Sequence, residues 1–233
     1  MTLKHLSLFL CCLLPLASCS KNSPTGPTGS SFVKAGAGST FTFDEYSTDS
    51  LNAIEPGSRD TLVSTVINTN GSIANKTGVI VVENVRASEH DTSYYAYEND
   101  NDVSMLTMSE STGEPIWMVL PVGTGTTVVT ASADTMEDLG IVTIVRDSTI
   151  ASLISSENIT VKGQSVSTEK VQLSFREVIT VDGVAGIEGK VDNLLYYAPS
   201  LGFMAKTTSP SRSDPGGGWI DGSFQSLIGY DLK

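Results

Sequence analysis

The side chains able to do chemistry are few. Beyond residue 18 the chain carries one histidine, His90, and one cysteine, Cys19. A Ser–His–Asp triad would have to use His90, which sits between Glu89 and Asp91 in a polar stretch that reads as a turn. Neither G-x-S-x-G nor H-x-x-x-H occurs. So little imidazole and thiolate leaves no ligand set for zinc or another soft metal. Hard cations are a different matter. The stretch YENDNDVS (97–104) places Glu98, Asp100 and Asp102 at alternate positions with amides between them. Carboxylate and amide oxygens are what Ca²⁺ takes. The glycine and distal glutamate of an EF-hand loop are missing, so a plain polar hairpin tip is the competing reading. VGTGTT (122–127) has no lysine in P-loop register and reads as a turn. A pair of acids could serve a glycan hydrolase, given a groove holding two carboxylates at a suitable separation. Among the aromatics, Trp117, Tyr196, Tyr197 and Trp219 could line an apolar cleft, although such residues more often fill a core. These observations point to a non-catalytic protein. No cofactor is expected, apart from Ca²⁺ if the three acids converge.

The cysteine sits at a seam. Leu6 to Leu16 is an apolar run that follows Lys4. It is too short to span a bilayer and fits the h-region of a secretory signal. Its end, Leu16-Ala17-Ser18-Cys19, resembles the lipobox of bacterial lipoproteins. The resemblance implies cleavage before Cys19, a diacylglycerol on its sulfur and an acyl group on its amine. More than one acyl chain anchors a protein stably. Ser20 stands where many inner-membrane lipoproteins carry aspartate, and Ser20–Ser31 lacks an acidic export cluster. The implied address is the bacterial envelope, with the periplasmic face of the outer membrane first and the cell surface second.

Three segments follow: a removed signal (1–18), a lipidated cysteine with a flexible Ser/Thr/Gly/Pro linker (19–31), and one β-rich domain (32–233). The chain has 14 basic and 26 acidic residues, and residues 1–18 contribute only Lys4 to that balance. A net charge near −13 opposes nucleic acid, which is held by Lys and Arg on phosphates. It equally opposes lying flat on anionic lipid.

The elements that must position these residues read as strands. In STFTFDEY (39–46) Phe41 and Phe43 alternate with Thr and Asp, the period of a half-buried strand. Further β-branched and apolar runs recur every 10–15 residues, with Gly, Asn, Asp or Pro between them. Asn70-Gly71 is a hairpin-turn signal. The fold class expected is mainly β: a strongly bent antiparallel sheet, either an open half-barrel or a sandwich. It would carry at most one or two short helices, the best candidates being 149–157 and 135–140. Residues 210–218 read as a hairpin loop.

The stretch ENITVKGQSVSTEKV (157–171), followed by LLYYAPSLGFMAK (194–206), resembles an uncharacterised family of secreted bacterial β-proteins and lipoproteins. Glu157, Ile159, Val161, Gly163, Lys170 and Val171 match its first motif. Tyr196, Tyr197, Ala198, Pro199, Gly202 and Lys206 match its second. Lys162, Val166 and Met204 depart from the pattern. The resemblance covers about residues 110–233 and implies a bent sheet related to lipid-holding half-barrels, with no activity attached. In physical terms Pro199 must end a strand and Gly202 permits a reversal, so APSLG is a hairpin connection. Tyr196 and Tyr197 then face opposite sides. The functional expectation is a lipid-anchored module that binds an apolar ligand or a protein partner. The alternative is an envelope-assembly protein acting through a bare sheet edge or an exposed apolar patch.

Overall fold

Alternation decides the first strand. Phe41 and Phe43 point inward and are almost wholly buried, while Thr42 and Asp44 point out. The computed structural model describes residues 33–87, 89–99, 102–108, 114–122, 125–213 and 219–233. Twelve antiparallel strands in it form one sheet. They are β1 (Thr40–Thr48), β2 (Asp60–Ile73), β3 (Lys76–Val85), β4 (His90–Asn99), β5 (Asp102–Met108), β6 (Pro115–Pro121), β7 (Thr126–Asp138), β8 (Ile141–Val161), β9 (Gln164–Val181), β10 (Val184–Ala198), β11 (Phe203–Ser209) and β14 (Gly222–Asp231). A two-stranded pair, β12 (Arg212–Ser213) and β13 (Trp219–Ile220), is inserted before β14.

The order β6-β5-β4-β3-β2-β1-β14-β11-β10-β9-β8-β7 is two meanders joined at a β1–β14 seam. The sheet bends until β6 lies beside β7 and β8 without a ladder to them, giving a nearly closed barrel. Its concave side is filled. Phe203 stacks on Phe41 at 4.2 Å and takes Tyr95 edge-on at 5.4 Å. Val66, Val82, Leu120, Val161, Val171 and Leu227 pack around them.

Three tight turns set the register of the second meander. Leu139-Gly140, Lys162-Gly163 and Asp182-Gly183 each put both residues at positive φ, the twist that suits a two-residue hairpin. In the first meander the turn falls on Ala74-Asn75, also at positive φ, and not on Asn70-Gly71. Gly71 instead lies at a register shift in β2, where a Cβ would press on Val81 and the Val79 carbonyl. Both helix candidates are strand: 135–138 belongs to β7 and 149–157 to β8. Ladders on both flanks of β8 override its weak local preference. The hairpin expected over 210–218 corresponds to β12–β13, with 214–218 outside the described residues.

Candidate binding surfaces

The YYAPSLG hairpin closes as its residues dictate. Leu201 and Gly202 both donate their backbone N–H to the Ala198 carbonyl, at 3.0 Å. Gly202 has φ +64, and the entering chain crosses directly over it. Val33 donates its N–H to the Pro199 carbonyl at 3.1 Å, and Ala35 is buried. The Tyr97 hydroxyl donates to the Gly202 carbonyl at 2.7 Å.

The two tyrosines do face opposite sides. Tyr197 joins the core, where burial beside Tyr97 pushes its hydroxyl pKa well up. Burial also pushes Tyr95 up to about 12. Tyr196 lies on the convex face yet is only 3% exposed, because lysines cover it. Lys206 Nζ sits 4.5 Å from its ring centre and Lys170 Nζ 5.2 Å. The row continues with Lys206 over Phe224 at 5.5 Å, Phe224 stacked on Tyr46 at 4.6 Å, and Arg59 over Tyr46 at 5.8 Å. Six side chains thus form a cation–aromatic row across the outside of the sheet. The hydrogen bond to Tyr196 holds Lys170 above the usual lysine range.

Of the four aromatics expected to line one cleft, Trp117, Tyr196 and Tyr197 do not share one. Neither tyrosine offers a ring face to a ligand. Trp117, on β6, donates its indole N–H to the Ala74 carbonyl at 3.1 Å and lies under Lys76. The side chain of Trp219 lies outside the described residues. Two surface cavities use other residues. One of about 320 Å³ is lined by Lys34, Ala35, Gly36, Thr69, Gly78, Ile80 and Tyr97. The other, of about 340 Å³ on the convex face, has Tyr46, Asn52, Ile54, Asp192, Leu194 and Phe224 among its walls.

Of the three acids expected to hold Ca²⁺, the structure describes Glu98 and Asp102. Glu98 is ion-paired to Lys76 and accepts from the Ser104 hydroxyl, so an ammonium already stands where a cation would. Asp102 is half-buried, and desolvation raises its pKa. Asp100 lies outside the described residues. Among the described residues no three His, Cys, Asp or Glu side chains converge as metal ligands would. His90 is exposed at the start of β4.

A polar chain that sequence reading missed lines the concave side beyond the aromatic core. Arg86 holds Glu45 with two nitrogens, at 2.8 and 3.3 Å, and Asp91 at 2.9 Å. Gln225 donates to Glu45 at 2.9 Å. Asn84 donates to Asp91 at 2.6 Å and to Ser93 at 2.7 Å, and accepts from Ser64 at 2.7 Å. The bond to Glu45 raises the Arg86 pKa. Both acids share one guanidinium. The signal was available for one member: Glu45 lies two and four residues beyond Phe43 and Phe41, on the same strand face.

Further along, β7 to β10 outrun the core. Rows in register carry the concave face onto this extension: Ala151–Leu173, Thr149–Phe175, Asp147–Glu177, Val145–Ile179 and Thr143–Val181. The inner rows are buried, but the outer ones are open. Leu139 is 95% exposed and Val184 70%, with Met136, Ile141 and Val181 also exposed. Asp182 ties the two hairpin tips together, donating its N–H to Val142 O at 2.8 Å and accepting from Val142 N at 2.9 Å. Asp147 and Glu177 stand side by side on this face with no base beside either among the described residues.

No family model matches the chain, its C-terminal half included, and no curated protein matches it. Two solved structures are similar in fold. One is a candidate lipoprotein of Parabacteroides distasonis, with TM-score 0.49 and 10% identity, covering 86% of this chain and 99% of that one. The other is a candidate exported protein with a YmcC-like fold from Bacteroides fragilis, with TM-score 0.41 and 12% identity, covering 86% and 98%.

Proposed function

We propose that the chain is a lipid-anchored protein of the bacterial envelope, held by Cys19, whose β domain is a non-catalytic module that binds a protein partner. The observation that carries the binding role is the extension. At its outer end it leaves Met136, Ile141, Val181 and Val184 open to solvent, and neighbouring exposed apolar side chains mark an interaction site. The filled core argues against a ligand inside the barrel. The linker joins the domain at Val33, beside the APSLG hairpin. The extension lies at the far end of β8, whose 21 residues span about 65 to 70 Å at 3.3 Å each.

The test is made in intact cells. A photo-crosslinking residue at Leu139 or Val184 is expected to trap a protein, while one at Ile228, exposed on β14, traps none. Cys19→Ser is expected to release the protein from the membrane fraction and abolish the diacylglycerol mass. Equal trapping at all three positions overturns the binding role, and a Cys19→Ser protein that stays membrane-bound overturns the anchor.

A further inference from the structure

The outer edge of β7 points to the kind of partner. This inference rests on reading the extension as the docking surface. An edge strand presents a row of unpaired backbone N–H and C=O groups, and proteins usually blunt such edges with proline, lysine or a short strand. The other edge of this sheet is blunted: β6 has seven residues and begins and ends in proline, Pro115 and Pro121. On β7, Val129 still packs against the core. Ala131, Ala133 and Thr135–Asp138 are exposed, and no described strand pairs with the outer side of β7. Residues 131–138 read ASADTMED, with neither proline nor lysine.

The geometry points to β7, over Ala131–Asp138, as an acceptor for an extended, basic segment of a partner protein that adds as a further strand. Main-chain pairing along the edge would supply the affinity, and alternate side chains the selectivity. Charge sets the sign of the partner. The stretch holds three acids and no base. The concave face beside it carries the unpaired Asp147 and Glu177. A second copy of this chain would bring the same excess of acids, 26 against 14 bases, and an anionic membrane surface would be repelled as well. A strand alternating apolar and basic residues satisfies all three features: the bare ladder, the acids and the open apolar rows.

The experiment uses the full chain purified in detergent and three eight-residue peptides. One alternates Val and Lys, one alternates Val and Glu, and the third is the Val/Lys peptide N-methylated at every second amide. The Val/Lys peptide is expected to bind and to slow hydrogen exchange at alternate amides within 131–138. The N-methylated and Val/Glu peptides are each expected to bind about tenfold more weakly or worse, since each loses either ladder bonds or charge pairing. Glu137→Gln with Asp138→Asn should weaken binding several-fold. Glu83→Gln with Glu89→Gln, exposed acids that remove the same charge elsewhere, should not. Equal binding of the N-methylated peptide overturns the proposal. So does concentration-dependent dimerisation blocked by the peptide, which would assign the edge to a second copy. Protection confined to Val145, Ile179 and Val181 also overturns it, while leaving the extension as the docking face. No binding by any peptide, together with no trapping at Leu139 or Val184 in cells, removes both readings.

Discussion

Replacing Gly202 by alanine should destabilise the domain through two separable effects. The first is conformational: φ is +64, and an L-residue with a Cβ pays about 1 to 2 kcal/mol in that region. The second is steric. A Cβ at this position would overlap the Val33 carbonyl oxygen and lie 2.9 Å from Ala35 N and 2.8 Å from the Tyr97 hydroxyl. The Tyr97 side chain can swing, but the backbone of Val33–Ala35 must move, and Ala35 is only 2% exposed. Together the two effects should cost about 3 kcal/mol, lowering Tm by roughly 6 to 12 °C for a domain of this size. The components separate in a double-mutant cycle with a chain that begins at Gly36, followed by circular dichroism on heating and in urea. In that background Gly202→Ala should cost only the conformational part, about 1 to 2 kcal/mol. An equal loss in both backgrounds would refute the reasoning, because the entering chain would then not be what the glycine makes room for. A loss below about 0.5 kcal/mol in the longer chain, the size of an ordinary surface change, would refute it more simply.

Tyr197→Ala, a core truncation, should cost about 3 to 5 kcal/mol in urea unfolding. Tyr196→Ala should cost less, about 1 to 3 kcal/mol, because the side chains of Lys170 and Lys206 cover it on the outer face; equal losses would contradict the two-face placement. Arg86→Ala should cost about 1 to 3 kcal/mol, because Glu45 and Asp91 lose their cationic donor and keep only the amides of Gln225 and Asn84, and Glu45→Gln in that background should recover part of it. The raised pKa values of Tyr95 and Tyr197 fix the direction of an alkaline effect. The folded state keeps these phenols protonated, so their stability contribution is whole below the unfolded value near 10 and is lost as pH rises through about 12, by about 2 to 3 kcal/mol for Tyr95 alone. Tm measured from pH 8 to 12 should fall above pH 10 and fall less for Tyr95→Phe; a flat profile would contradict the burial of the hydroxyl.

Much of the fold is legible in local pattern. The alternation at Phe41 and Phe43 marks an inward strand face, and Pro199 with Gly202 marks a turn, because these signals act within a few residues. What is not legible depends on partners distant in sequence. The run 149–157 resembles a short helix until both flanking ladders are known. Asn70-Gly71 carries a turn signal, yet the close approach of Val79 and Val81 uses the glycine instead. Parity alone places Glu45 on the concave face, but nothing nearby reveals Arg86, 41 residues on, as its partner. Parity sets Tyr196 and Tyr197 on opposite faces, but only the structure shows that Tyr196 is the outward ring and that two lysines close over it.

The β1–β14 seam has a consequence for how the molecule is made. Thr40 pairs with Asp231, so the middle of the sheet is closed by segments from opposite ends of the described chain. While the polypeptide leaves the ribosome, β1 to β6 can zip up as hairpins, but the outer side of β1 stays bare until β14 has been synthesised. Folding must then close a loop of nearly the whole domain, the kind of late, long-range pairing that slows folding and lengthens exposure of sticky intermediates. A permuted gene that opened the β6–β7 crossover and fused Lys233 to Gly36 would turn that seam into a local hairpin. Lys233 already lies against Gly36 and donates its N–H to Ser39 Oγ at 3.0 Å. The slow step of assembly is thus written into the order in which the strands are translated.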